Sequence, residues 1–81
     1  MQTRVLFFGK LKELAGGSEQ SIEISYGSTI AELFDRFARQ TPALAPYRTS
    51  VVASRNQEFA HWTTVLEPGD EIAFLPPVSG G

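Results

Sequence analysis

The sequence predicts an α+β domain in which one main helix packs on one face of a mixed sheet. Two nearly continuous apolar runs, VLFF near the start and IAFL near the end, are typical of central strands. A single amphipathic stretch from Ile30 to Ala38 indicates the helix. With 81 residues, the chain is expected to form one domain, residues 1–81, in which residues 76–81 are an extended C-terminal tail.

The first third of the chain predicts two neighbouring strands. Residues Thr3 to Gly9 (TRVLFFG) are rich in β-branched and aromatic side chains and are closed by a glycine, which favours a strand. The following KLKELAGG favours a helical turn ended by its two glycines. QSIEISYG then alternates apolar and polar residues as far as Tyr26, the pattern of a half-buried strand. We expect these two strands to pair.

The main helix has a clear beginning and end. Thr29 followed by Glu32 fits a capping box, and Pro42 should stop the helix at Thr41. A small domain needs an apolar helix stripe for its core, so we interpret this one as core rather than as a cofactor site. Its members are Ile30, Leu33, Phe34, Phe37 and Ala38.

The second half of the chain predicts short strands separated by turns. PALAPYR is expected to connect the helix to a strand at SVVA, and RNQE to form a turn. FAHWTTVL favours another short strand, EPGD a turn, and EIAFL the last strand. Because the first and last strands are the most apolar, they should lie side by side in the middle. That arrangement is the β-grasp, or ubiquitin-like, layout.

One helix covers only one side of a sheet, and the alternation of strand side chains predicts what the other side carries. Arg4 should point to water, which places Leu6 and Phe8 on the uncovered side. Glu71 places Leu75 there in the same way. Phe59 follows a turn, and its side is not fixed by the pattern. A contiguous apolar patch is more often a surface that binds a partner than the ordinary exposure of apolar residues in a small domain.

Composition excludes several classes of protein. The chain has no cysteine, which excludes disulfides, thiolate metal sites and a thiol nucleophile. His61 alone cannot build a metal cluster or a triad, and for it and Trp62 we expect solvated or packing roles. The net charge of −2 gives no basic stripe for nucleic acid. Without a signal peptide or an apolar run of roughly 20 residues, we expect a cytoplasmic protein that does not bind membranes.

The chain ends in LPPVSGG, which suggests a working tail. Pro76 and Pro77 would end the last strand and stiffen the exit, and four further residues could reach about 13–14 Å beyond them. Gly80 and Gly81 lack side chains, so they could enter a narrow channel. ATP could convert the terminal carboxylate to an acyl-adenylate, which a sulfur donor would turn into a thiocarboxylate. Composition alone leaves open that the glycines are a frayed end or a cloning remnant.

VLFFGKLKELAG and LEPGDEIAFLPPVSGG resemble the small subunits of molybdopterin synthase, the MoaD family, over the whole chain. The resemblance implies a sulfur carrier in molybdenum cofactor biosynthesis. An E1-like adenylyltransferase would activate Gly81 with ATP, and a sulfurtransferase system would supply the sulfur. The thiocarboxylated tail would insert into the synthase large subunit and donate sulfur to cyclic pyranopterin monophosphate. The pocket belongs to the partner, so this chain would be non-catalytic and would bind neither cofactor nor metal.

The resemblance also assigns residues. Gly81 would carry the sulfur, and Gly80, Ser79 and Val78 would thread the partner's channel. Phe8, Phe59 and Leu75 match positions of the family's hydrophobic docking face. To these partner-binding residues we add Pro77 at the start of the tail and Leu6, which the strand alternation places on the same side. Three positions depart from the family pattern, with Arg55 in place of an apolar residue, Leu75 in place of an aromatic one and Ser79 in place of threonine.

Other functions stay open at this point. A thiamine-pathway sulfur carrier shares the fold and the Gly-Gly end, but is usually shorter and lacks FLPPVSGG. A protein modifier would join its activated glycine to a lysine through an isopeptide bond. A β-grasp interaction or RNA-binding module is a third class, although mild acidity opposes nucleic-acid binding.

Overall fold

A five-stranded mixed sheet forms the body of the computed structural model, which describes residues 1–77. The strands lie in the order β2-β1-β5-β3-β4. β1 and β5 pair in parallel at the centre, and every other neighbouring pair is antiparallel. The predicted β-grasp layout is therefore confirmed. The strands are β1 (Gln2–Phe7), β2 (Glu19–Glu23), β3 (Val52–Arg55), β4 (Glu58–Ala60) and β5 (Glu71–Leu75).

The main helix, α2 (Ile30–Gln40), begins at the predicted capping box. The Glu32 amide donates to Thr29 Oγ1 at 3.2 Å, and the Thr29 amide donates to the Glu32 carboxylate at 3.3 Å. These bonds satisfy amides that have no partner within the helix. The helix ends before Pro42, as predicted, and a 3-10 helix (Pro42–Tyr47) follows.

The core lies between α2 and one face of the sheet. Phe7 of β1 packs edge-on against Phe37 at 5.1 Å between ring centroids, and Phe34 packs against Phe74 of β5 at 5.0 Å. The apolar stripe of α2 is thus core, as predicted. Its buried members are Ile30, Leu33, Phe34 and Phe37.

Of two elements near the start, one agrees with the prediction and one differs from it. As KLKELAGG predicted, the connection between β1 and β2 holds a short helix, α1 (Lys10–Ala15), ended by Gly16 in the left-handed conformation. The second strand ends at Glu23, so the prediction that it continues to Tyr26 is wrong. The Tyr26 residue is 74% exposed. A turn takes over there, in which the Ser28 amide donates to the Ser25 carbonyl at 3.2 Å.

The segment after β4 closes the side of the core. Trp62 packs edge-on against Phe34 at 5.5 Å, and the Arg48 guanidinium lies 4.0 Å from the centroid of the indole. The Trp62 carbonyl accepts from the Ala31 amide at 2.9 Å, which ties this segment to the first turn of α2. Trp62 therefore has the expected packing role, while His61 is exposed. Within residues 1–77, no helix combines the length and apolar character that crossing a membrane requires.

Candidate functional site: the open face and the root of the tail

The strand register fixes which side chains share the face opposite α2. Leu6 of β1 lies opposite Ala73 of β5, Ala73 opposite Ser54 of β3, and Ser54 opposite Phe59 of β4. Directly paired residues project to the same side of a sheet, so Leu6 and Phe59 belong to one row across it. We use the name open face for the surface formed by Leu6, Phe8, Val52, Phe59 and Leu75.

The open face exposes large apolar side chains. Phe59 is 82% exposed, Phe8 45% and Val52 41%, whereas Leu6 and Leu75 are half-buried. The alternate residues of the same strands point into the core and are covered by α2. Large apolar side chains gathered on one face, rather than scattered singly, are typical of a surface that a partner covers.

The structure places on one face the four residues that the sequence analysis predicted to contact a partner. Leu6, Phe8 and Leu75 lie on the uncovered side, as the alternation predicted, and the register now adds Phe59. Sequence reasoning missed Val52, which lies opposite Leu75. The signal was present: once Ala53 is assigned to the core, Val52 must face the other way.

A charged cluster borders the open face. Arg4 donates from Nη1 to Glu71 and from Nη2 to Glu19, each at 2.8 Å, so one guanidinium bridges β2, β1 and β5. The hydrogen bond from Arg4, with its positive charge, lowers the pKa of the Glu19 carboxyl below its ordinary value. The two carboxylates compensate the positive charge of Arg4 within this cluster, so this arginine does not present an unpaired charge beside the apolar surface.

A shallow depression of about 410 Å³ lies beside Phe8, between β1 and α1. Leu6 and Phe8 form its apolar side, and Lys12 and Glu19 form part of its rim. An apolar side chain of a partner would fit such a depression, with polar groups of the partner meeting Lys12 and Glu19 at the rim.

The tail leaves the sheet next to the open face. β5 ends at Leu75, and just before that point the Phe8 amide donates to the Phe74 carbonyl at 3.2 Å. Pro76 is half-buried against Gly9, and Pro77 is exposed. Because β5 is the central strand, the exit lies in the middle of the sheet. The predicted site residues Val78, Ser79, Gly80 and Gly81 lie outside the described residues.

Comparison with known proteins decides the family. The sequence model of the ThiS family matches residues 5–81. A molybdopterin synthase sulfur carrier subunit from Chlamydomonas reinhardtii is 37% identical, with all of both chains covered. The protein of the same name from Escherichia coli is 35% identical, covering 96% of this chain and 98% of that one. The chain belongs to the molybdopterin synthase sulfur carrier subunits of the ThiS family.

Solved structures agree with the sulfur carrier fold. SAMP1 from Haloferax volcanii superimposes with a TM-score of 0.86 at 27% identity, with full coverage of both chains. A protein–protein complex of subunits 1 and 2 of molybdopterin-converting factor from Helicobacter pylori contains a chain that matches with a TM-score of 0.70 at 27% identity, again over both full lengths.

Arg55, which departs from the sulfur carrier pattern, has its own partners. Its Nε lies 2.9 Å from an Asp70 oxygen, and its Nη2 donates to Glu67 at 2.9 Å. Asn56 adds a hydrogen bond to Asp70 at 3.1 Å. The arginine therefore joins the end of β3 to the turn before β5.

Asp70 lies at the centre of this cluster of polar contacts and is buried, with 6% of its surface exposed. Burial by itself raises the pKa of its carboxyl. Donors from the Glu67 amide, Asn56 and Arg55 together outweigh burial and hold the pKa below the ordinary value of 3.8. The cluster lies at the end of the sheet away from the tail root, so we assign it a structural role.

Proposed function

We propose that this chain carries sulfur on the terminal carboxyl group of Gly81 and delivers it within molybdopterin synthase. The observation that carries the proposal is full-length similarity, at up to 37% identity, to proteins named molybdopterin synthase sulfur carrier subunit. The geometry supports it, because the tail root at Pro76 adjoins an exposed apolar face. A carrier needs both a surface to dock and a reactive end that reaches beyond it.

The proposed chemistry uses the main-chain carboxylate. The Gly81 carboxylate attacks the α-phosphorus of ATP in an E1-like adenylyltransferase, which releases pyrophosphate and leaves an acyl-adenylate. Sulfur supplied by a sulfurtransferase system at the oxidation level of hydrosulfide then attacks the carbonyl carbon, and AMP leaves. The product is a thiocarboxylate. ATP is bound by the activating partner, and this chain holds no cofactor of its own.

The proposed delivery step takes place in the synthase large subunit. The open face docks on that subunit, burying Phe8, Phe59 and Leu75 with Leu6, and the segment from Pro77 to Gly80 occupies a channel. The Helicobacter pylori complex of two converting-factor subunits supports this kind of assembly. The thiocarboxylate sulfur bonds to a side-chain carbon of cyclic pyranopterin monophosphate and displaces an oxygen substituent there. Water then cleaves the resulting thioester, which leaves the sulfur on the pterin and restores the carboxylate of Gly81.

Reconstitution tests the proposal. The chain is incubated with ATP, an E1-like enzyme and a sulfur source, and then with the large subunit and cyclic pyranopterin monophosphate, and the dithiolene product is measured. The matched control is the same chain extended by one alanine after Gly81, which keeps the domain and moves the reactive carboxylate onto the wrong residue. We expect product from the first chain and none from the second. Equal product from both would contradict the proposal.

A second candidate is a protein modifier that forms isopeptide bonds with lysine. The small archaeal modifier protein 1 (SAMP1) of Methanosarcina acetivorans matches this chain with a TM-score of 0.81 at 26% identity. Higher-mass conjugates of the tagged chain in a lysate, absent for a chain lacking Gly81, would support this candidate.

A thiamine-pathway carrier is distinguished by a pull-down, in which the bound large subunit identifies the pathway.

A further inference from the structure

Gly9 has a backbone conformation that other residues avoid. It connects β1 to α1 with φ 56° and ψ −134°. At this combination an L-residue with a Cβ is strained, whereas glycine adopts it readily. The chain therefore turns sharply at the end of β1, beside the point where β5 ends.

The missing side chain of Gly9 makes room for Pro76. A Cβ at position 9 would lie 2.9 Å from Cγ and 3.5 Å from Cδ of Pro76. Three other glycines with positive φ, Gly16, Gly27 and Gly69, have no atom of the described residues within 4 Å of such a position. Close approach to another residue thus distinguishes Gly9 within this group.

The contact acts on the root of the tail. The Pro76 ring is closed onto its own backbone nitrogen, so it cannot swing aside as a flexible side chain would. Displacing the ring therefore displaces the main chain that leads into the tail. On the other side of the contact, the Phe8 amide donates a hydrogen bond to the Phe74 carbonyl at 3.2 Å, which joins the ends of β1 and β5.

We propose that Gly9 is a positioning residue, whose bare backbone seats Pro76 and so fixes the direction in which the tail leaves the sheet. Its importance for sulfur delivery rests on the function proposed above. Four residues can reach at most roughly 13–14 Å, so at that reach a tilt of about 10° at the root of the tail would move the tip by about 2 Å. A misplacement of about 1 Å at a reacting group can slow a reaction on the order of a hundredfold.

The first test compares two glycine substitutions. Gly9→Ala introduces both backbone strain and the contact with Pro76, whereas Gly16→Ala introduces strain at φ 85° without that contact. We expect Gly9→Ala to slow single-turnover sulfur transfer about tenfold to a hundredfold while the Kd for the large subunit stays near that of the unsubstituted chain. Gly16→Ala should leave both quantities unchanged. Equal transfer rates in the two variants would overturn the proposal.

A double-mutant cycle separates the contact from general destabilisation. Pro76→Ala removes the ring from the tail side, so it should slow transfer even if Gly9→Ala fails to fold. If Gly9 acts through Pro76, adding Gly9→Ala to Pro76→Ala should bring little further loss. Losses that multiply would mean that the two residues act independently, and a Pro76→Ala variant with a normal rate would also overturn the proposal.

A second readout does not depend on sulfur chemistry. The chain has no cysteine, so Ser79→Cys gives a unique attachment point for a nitroxide label. Relaxation enhancement of the Leu6, Val52 and Phe59 amides then reports the tail direction. We expect the pattern to change with Gly9→Ala and not with Gly16→Ala. An unchanged pattern would overturn the positioning role, whereas failure to form a thiocarboxylate would overturn only the proposed function.

Discussion

Ser54 and Phe59 lie opposite each other in the β3–β4 pair, and this places Phe59 on the same face of the sheet as Leu6. The hairpin between them turns through Asn56 and Gln57, whose φ angles are 51° and 73°. These values are typical of the tight turns that connect antiparallel strands. The outer hairpin thus carries an aromatic ring, 82% exposed, to the edge of the open face.

Phe59→Ala should weaken docking without unfolding the chain. An aromatic anchor buried in an interface is commonly worth about 2 kcal/mol or more when truncated, which corresponds to at least roughly a thirtyfold rise in Kd. Calorimetric titration with the large subunit measures the effect, and Tyr26→Ala, which removes another exposed aromatic away from the open face, is the control. Equal Kd values for both variants would exclude Phe59 from the interface.

Phe7 and Phe8 are neighbours with opposite expected effects. Phe7 is 1% exposed in the core, so Phe7→Ala should lower the free energy of unfolding by about 3–5 kcal/mol. Phe8 is 45% exposed, so Phe8→Asp should leave the isolated domain folded and should prevent docking on an apolar partner surface. Urea unfolding and binding measurements check the pair. Loss of the fold in Phe8→Asp would show that Phe8 belongs to the core.

Asp70 should make the free energy of unfolding depend on pH. Its folded pKa lies below the ordinary value of 3.8, so the unfolded chain takes up the proton first as pH falls. Its contribution is fully present above that value and is lost as pH falls through the folded pKa. Near neutral pH, Asp70→Asn should cost about 1.5–3 kcal/mol, the range for hydrogen bonds to charged groups.

Urea unfolding at a series of pH values measures this contribution. Asp70→Asn should flatten the part of the acid profile that Asp70 causes. Glu67→Gln is the matched control, because it removes the exposed partner of Arg55 and should change stability by less than about 1 kcal/mol. An unaltered acid profile in Asp70→Asn would contradict the assigned role.

Arg4 should control the titration of Glu19. Arg4→Gln removes the hydrogen bond and the charge that lower the pKa of Glu19, so that pKa should rise toward its ordinary value of 4.5. An NMR titration of the side-chain carboxyl carbon measures it. Lys10→Gln is the control, since Lys10 pairs with Glu13 instead. A Glu19 pKa that stays low in Arg4→Gln would show that another group causes the shift.

Much of the fold follows from local patterns in the sequence. Thr29 and Glu32 mark the helix start, and the apolar runs identify the two central strands. Alternation from Arg4 was enough to place Leu6 and Phe8 on the uncovered side, because one charged residue fixes the side of its whole strand. The predicted second strand was too long because Tyr26 continues the alternation of apolar and polar residues. That alternation does not show where a turn replaces the strand.

The features that sequence reasoning missed depend on pairing between distant segments. The side of Phe59 becomes known only from its register with Ser54, and Val52 was hidden by its apolar neighbour. The ion pairs of Arg55 could not be predicted, because its partners are 12 and 15 residues away. The role of Gly9 depends on Pro76, which comes beside it only when β1 and β5 pair. A glycine after one strand and a proline after its neighbour are the signal that could have found it.

Intact and fragment mass spectrometry of the chain, after incubation with ATP, an E1-like enzyme and a sulfur source, tests the central claim most directly. The account predicts exchange of one oxygen for sulfur, localised to Gly81 and dependent on ATP. An unchanged terminal residue in a mixture that supports sulfur transfer, or sulfur found at any other residue, would contradict it.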